Sequence, residues 1–245
     1  MGGRDEQDWS VMPRHTRVYS DFVERIDEVS ILRRKARKLE VSRNSLSFGP
    51  EIRALCRASV VLLSSHVEAY VKELGELTLD ILHERELPRN RLSKEFFYYV
   101  TRQRIDAIRA SEQPLAIAQS VEAFVETEIG FWNNAKALPS PVASVDFNKG
   151  FSNPKFEKVQ QYLSRFGYCN FKLDFYRVLG RDAQQVHLGL NAIVDTRNAI
   201  AHGEASATKT PAEIMQFEEY SKKFCRVTDD VFAKWCRKNL CSIRS

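Results

Sequence analysis

The residues of this chain best suited to chemistry on phosphate are Arg197, Asn198 and His202, in the run Arg197-Asn198-Ala199-Ile200-Ala201-His202-Gly203. They close a strongly apolar helical segment, Val186 to Ala201. An arginine, an amide and a histidine are costly to bury there without partners. Arginine stays charged and offers phosphate a planar, bidentate fork. Histidine exchanges protons near neutral pH and serves as general acid or base. Asn198 can orient the imidazole or hold a phosphate oxygen. On RNA the 2′-hydroxyl is a built-in nucleophile, so an acid, a base and a charge stabiliser suffice to cut it and leave a cyclic phosphate. DNA lacks that nucleophile.

At about 100° per residue, His187, Asn191, Asp195, Asn198 and His202 share one sector of the motif helix. This supporting polar stripe calls for a water-filled cleft, a second copy of itself or a ligand. Arg197 lies outside the sector, because five residues turn a straight helix by roughly 140° from Arg197 to His202. Two geometries bring the pair together. His202 can turn back where the helix ends at Gly203, or two subunits can pool their residues across a two-fold axis. The second is the expectation, with the first contributing. Spacing alone is a loose guide, since Arg181 and His187 fit a similar Arg-to-His interval. The sequence has no P-loop, GxGxxG, GxSxG or HExxH motif. No carboxylate cluster with metal-ligand spacing accompanies the motif, so neither a metal nor a cofactor is expected.

The elements that must position these residues read as helices. Apolar residues at 22, 26, 29, 32, 36 and 39 give one from Asp21 to Leu39. Its basic run, Arg33 to Lys38, reads as a solvated face, with an RNA backbone contact as the second reading. A long helix from about Glu51 to Leu82 is apolar nearly all round at Ala58 to Leu63, which marks it as central. His66 within it reads as a core or interface histidine. Helices follow at about 93–109, with Phe96, Phe97, Tyr98 and Tyr99 on a core face, and at 114–129. Residues 131–153 lack periodicity and read as a functional or mobile loop. Asn153-Pro154 then reads as an N-cap with proline at the first helical position, opening a helix that stops at Gly167. The motif helix runs from about Arg181 to Ala201. Thr210-Pro211-Ala212-Glu213 is a capping box that starts the last helix.

Composition fits that reading. The 245 residues include only 10 glycines and 8 prolines, which favours helices over a turn-rich β fold. The expectation is an all-α helical bundle: a tail at 1–19, then one domain over 20–245. A net charge of +5 permits a polyanionic partner without requiring one. Five cysteines with no CxxC pair suggest a reduced, cytoplasmic protein without a zinc site. The polar N-terminus has no signal-like apolar stretch, and no apolar run approaches the ~20 residues of a membrane span.

Taken together, the segment resembles the HEPN superfamily, whose domains are helical and usually carry Arg-x4–6-His with a polar residue after the arginine. Arg197, Asn198 and His202 match that pattern. The stretch Arg57 to Leu63, continuing through Val67-Glu68-Ala69-Tyr70, is similar to the long first core helix of stand-alone bacterial members. The resemblance covers roughly residues 50–235. It implies an up-and-down helical core with extra helices and a metal-independent endoribonuclease that works on RNA as a homodimer with a composite site. It also implies a role as a toxin or anti-phage defence effector, with an antitoxin or defence-system partner protein and no membrane. One departure narrows this. Members neutralised by a nucleotidyltransferase carry a tyrosine two residues after the histidine, and here that position is Glu204. The competing reading is a non-catalytic module of the same fold that dimerises or binds RNA or a nucleotide.

Overall fold

The computed structural model describes residues 14–43, 45–111, 113–128, 136–138 and 140–244. Among them the chain forms nine α-helices and no strand: α1 (Arg17–Glu40), α2 (Gly49–Glu84), α3 (Lys94–Arg109), α4 (Pro114–Glu128), α5 (Ser144–Asn148), α6 (Phe156–Ser164), α7 (Phe171–Leu179), α8 (Ala183–Ala201) and α9 (Pro211–Asn239). The all-α bundle expected from the sequence is the fold. Its core is α1, α2, α8 and α9, with α2 and α9 each packed on the other three. Short connections make α1 and α2 antiparallel neighbours, and likewise α8 and α9.

Helix α2 is central because it packs on α1, α8 and α9 at once. Val60, Leu63, Val67, Tyr70, Val71, Leu74, Leu79 and Leu82 are all buried; most of them follow the helical repeat along one face, with Lys72, Glu73, Glu76 and Asp80 on the opposite side. The first helix begins earlier than its periodicity suggests. Thr16 caps it, accepting from the Tyr19 amide at 3.3 Å, and Val18 is buried. The Thr16 amide and hydroxyl both bond Asp229 of α9, so residues 14–19 belong to the domain. The rest of the expected tail lies outside the described residues.

The basic run of α1 is largely spent within the chain. Arg33 pairs with buried Glu218, Lys35 with Glu51 and Arg37 with Glu40. Of the aromatic run expected on a core face of α3, Phe96 and Phe97 are core, Tyr99 is partly buried and Tyr98 is exposed. Phe96 packs against Phe147 and Phe166. His66 sits on the α1–α2 seam, 3.4 Å from Glu28, and burial holds its imidazole below the usual range despite that carboxylate. Of the irregular stretch 131–153, residues 131–135 and 139 lie outside the described residues. The remainder contains α5, whose Phe147 enters the core.

Helix α8 lies close against α9 at a glycine. A Cβ built on Gly189 would meet Tyr220 Cδ2 at 2.2 Å and two further ring atoms at 2.7 and 2.8 Å. Gln185 donates to the hydroxyl of that ring at 2.8 Å, so the ring has little room to swing away. In an open helix interior Gly→Ala gains about 1 kcal/mol. Here the clash dominates, and Gly189→Ala is expected to cost about 1–3 kcal/mol as overpacking. That lowers Tm by about 2–4 °C per kcal/mol in a domain of this size. A thermal melt decides it: an unchanged or raised Tm would mean that the two helices do not approach this closely.

Candidate functional site

Helix α8 carries the motif on an otherwise structural element. Val186, Leu190, Ile193 and Val194 are buried and seat it on α2 and α9. Its C-terminal end is fixed by two devices. In the first, Gly203 takes a left-handed φ of +80°. Its amide donates to Ile200 O at 3.1 Å and the Glu204 amide donates to Ala199 O at 3.0 Å, a Schellman closure that a residue with a Cβ would strain. This makes His202 the capping residue of α8. Its side chain is exposed and bonds no other described residue. In the second, Arg57 reaches over from α2. One guanidinium nitrogen donates to Ile200 O at 3.4 Å, and the other to Glu204 O at 2.8 Å and Ala207 O at 3.2 Å. A cation at the carbonyl end of a helix is favourable, and this one also ties down the loop after His202.

One turn back, Arg197 is half-buried. Its Nη1 donates to Asn198 Oδ1 at 3.0 Å and to Asn153 Oδ1 at 3.3 Å. Both partners are neutral amides. No carboxylate among the described residues lies within ion-pair distance of Arg197. Arg25, Arg33, Arg37, Arg104, Arg177 and Arg244 each have one. The Nε–Nη2 edge of Arg197 bonds no described residue. Asn198 therefore touches the arginine rather than the imidazole, and no side-chain hydrogen bond joins either residue to His202.

The stripe divides into two parts. Its first three members face the start of α6, not a cleft or a second copy. His187 Nε2 lies 2.8 Å from Glu157 Oε1, and its Nδ1 lies 2.8 Å from the Tyr176 hydroxyl. The ring stacks on Phe156 with centroids 4.2 Å apart. Asn191 Oδ1 accepts the Phe156 amide at 2.9 Å, and its Nδ2 donates to Glu157 at 3.3 Å. Asp195 pairs with Lys155 at 2.5 Å. Burial pushes the Glu157 carboxyl up, but its own backbone amide, His187 and Asn191 together hold it below the usual carboxylate range. His187, Asn191 and Asp195 thus dock α6, and only Asn198 and His202 of the stripe remain at the open end. Buried and fully engaged, His187 does not form a second site with exposed Arg181.

This docking corrects the reading of Asn153-Pro154. The cap of α6 is Lys155, and the side chain that accepts the first helical amide is Asn191, from another helix. Asn153 has a left-handed φ of +54°. Its amide donates to Glu68 Oε2 of α2 at 3.3 Å, and its carbonyl accepts from Lys155 N at 2.7 Å. Asn153, Glu68 and Arg57 are the site residues that sequence reasoning did not assign. For Arg57 the available signal was an arginine within an apolar helix. For Asn153 the Asn-Pro pair suggested a local cap and concealed a tertiary contact.

A family model described as RiboL-PSP-HEPN matches residues 20–234. The chain belongs to the HEPN family. No curated protein and no solved structure matches it. The matched range includes Arg197, Asn198 and His202, which lie at the C-terminal end of α8. Among the described residues of this HEPN domain, one cluster has metal-ligand geometry: His15, Asp229 and Asp230. It lies about five turns along α9 from the motif loop. Arg244 already sits in it, 3.0 Å from Asp229 and 2.7 Å from Asp230. The five cysteines are free, and burial pushes the Cys56 thiol up to about 11, away from thiolate chemistry. No helix among the described residues is long and apolar enough to cross a membrane.

Proposed function

We propose that this HEPN protein is a metal-independent endoribonuclease that cuts RNA through the substrate's own 2′-hydroxyl, and that it serves as a toxin or anti-phage defence effector. The observation that carries the reading is Arg197: a half-buried, permanently charged group held through one nitrogen by two amides, with no carboxylate among the described residues to neutralise it. The Nε–Nη2 edge that remains is the fork that suits phosphate. In the reaction Arg197 binds the scissile phosphate and stabilises the phosphorane. His202, held at the helix end by Gly203 and Arg57, moves protons to and from the reacting oxygens. Asn198 fixes Arg197 through its carbonyl oxygen and leaves its amide donor for a phosphate oxygen.

The working unit is a homodimer with a composite site. What supports this is the separation of Arg197 from an exposed His202 within one chain, which a two-fold axis through the α8 ends would make good with the second chain's residues. Static light scattering is expected to give twice the mass of one chain at micromolar protein, and a strict monomer would count against the composite site. The activity is tested by incubating purified protein with total RNA beside His202→Ala. Degradation by the wild type alone supports the proposal. RNA binding without cleavage, equal in both proteins, would instead assign the non-catalytic role.

A further inference from the structure

We infer that Asn153 is the residue that aims Arg197. The inference rests on the reading of Arg197 as the phosphate ligand, and it adds a residue from outside the motif helix. Three observations converge. Asn153 holds a left-handed φ of +54° although Pro154 follows it, and a residue before proline is pushed toward extended backbone. Such a conformation persists only where its surroundings impose it. They do so here: Glu68 Oε2 takes the Asn153 amide at 3.3 Å, and the Lys155 amide takes its carbonyl at 2.7 Å. Glu68 is itself steadied by Lys72 at 2.6 Å. The outcome of this clamp is that Asn153 Oδ1 meets Arg197 Nη1.

The residue type matters as much as the position. With Asn198 on the same nitrogen, Asn153 holds the guanidinium at Nη1 and leaves its Nε–Nη2 edge without a partner among the described residues. An aspartate could make the same contact, but it would complete an ion pair and supply the negative charge that the substrate has to bring. A neutral acceptor fixes direction and keeps the charge. Asn153 is therefore a positioning residue. It acts on the phosphate only through Arg197.

Glycine at 153 separates positioning from folding. It accepts the left-handed backbone without penalty, so Asn153→Gly removes the carboxamide while the Glu68 and Lys155 backbone bonds remain. Tm should stay unchanged or rise slightly. Two readouts follow. The Nε–H resonance of Arg197, assigned by its loss in Arg197→Ala, should relax as a rigid group in the wild type and as a flexible one in Asn153→Gly. On an RNA substrate, kcat should fall by about 10- to 100-fold, the scale on which misplacement of about 1 Å is felt, with little change in KM. Asn153→Asp should keep the Arg197 guanidinium rigid but neutralise it, raising KM for RNA as well as lowering kcat. Equal rigidity of the Arg197 guanidinium in wild type and Asn153→Gly overturns the inference, as does an unchanged kcat. A wild type that cuts no RNA, together with loss of that rigidity in Asn153→Gly, leaves the positioning role standing and removes the ribonuclease reading instead.

Discussion

Alanine at His202 is expected to slow RNA cleavage by about 100- to 10,000-fold, the range that a positioned general acid–base contributes, and to leave Tm essentially unchanged. The second half of the expectation comes from burial. His202 is exposed and its side chain bonds no described residue, and surface substitutions of that kind cost about 0.5 kcal/mol or less. Arg197→Ala is expected to cost about 100- to 1,000-fold, in line with loss of one preorganised charge stabiliser. Arg197→Lys should recover only part of that, since an ammonium cannot present the bidentate edge. His187 supplies the control. It is the same residue type on the same helix, but it is buried between Glu157, Tyr176 and Phe156. Its alanine variant should lower Tm measurably, and any loss of activity should follow the loss of folded protein. Steady-state cleavage and thermal melts on the four variants check this. Equal cleavage by wild type and His202→Ala would remove His202 from the reaction.

That contrast between two histidines shows where sequence reasoning stops. The core helices were legible because their signals are local. The apolar spacing of α2, α8 and α9 repeats along each helix. The Thr210–Glu213 capping box forms as its residue types predict, and Gly203 closes α8 as a left-handed glycine should. The stripe on α8 was also legible, but its partners were not. Lys155, Phe156 and Glu157 are some 30 to 40 residues away, and nothing local tells that their backbone and side chains would take up His187, Asn191 and Asp195. A polar stripe reads alike whether it meets solvent, a second copy or another helix.

The same limit explains α7, which had no assignment. It has nine residues, and its N-cap Asn170 makes no side-chain cap bond. Phe171 and Phe175 hold it instead, packing on Phe156 and, for Phe175, on Phe224. A helix this short is marginal by propensity alone, so its stability is tertiary and leaves a weak mark in the local pattern. Asn153 is the extreme case. Its residue type suggested a cap, and its role lies in contacts with α2 and α8.

The expectation with the largest effect concerns the nucleophile. If the attacking oxygen is the substrate's own 2′-hydroxyl, a 2′-O-methyl ribose at the cut site abolishes cleavage there, and DNA of the same sequence is spared. The products then end in a 2′,3′-cyclic phosphate and a free 5′-hydroxyl. The residues at the open end of α8 are an arginine, an amide and a histidine. Among the described residues they have no cluster of carboxylates to hold a metal-activated water, and the one cluster there with suitable geometry is about five turns along α9 and already bound to Arg244. Cleavage should therefore persist in excess EDTA. These readouts separate two chemistries. Activity lost in EDTA and restored by magnesium, with products ending in 5′-phosphate, would mean a metal-bound water as nucleophile. It would also mean that Arg197 and His202 only bind. Persistence in EDTA with cyclic-phosphate ends would place the nucleophile on the RNA, where a protein with only a charge and a proton donor at its site needs it to be.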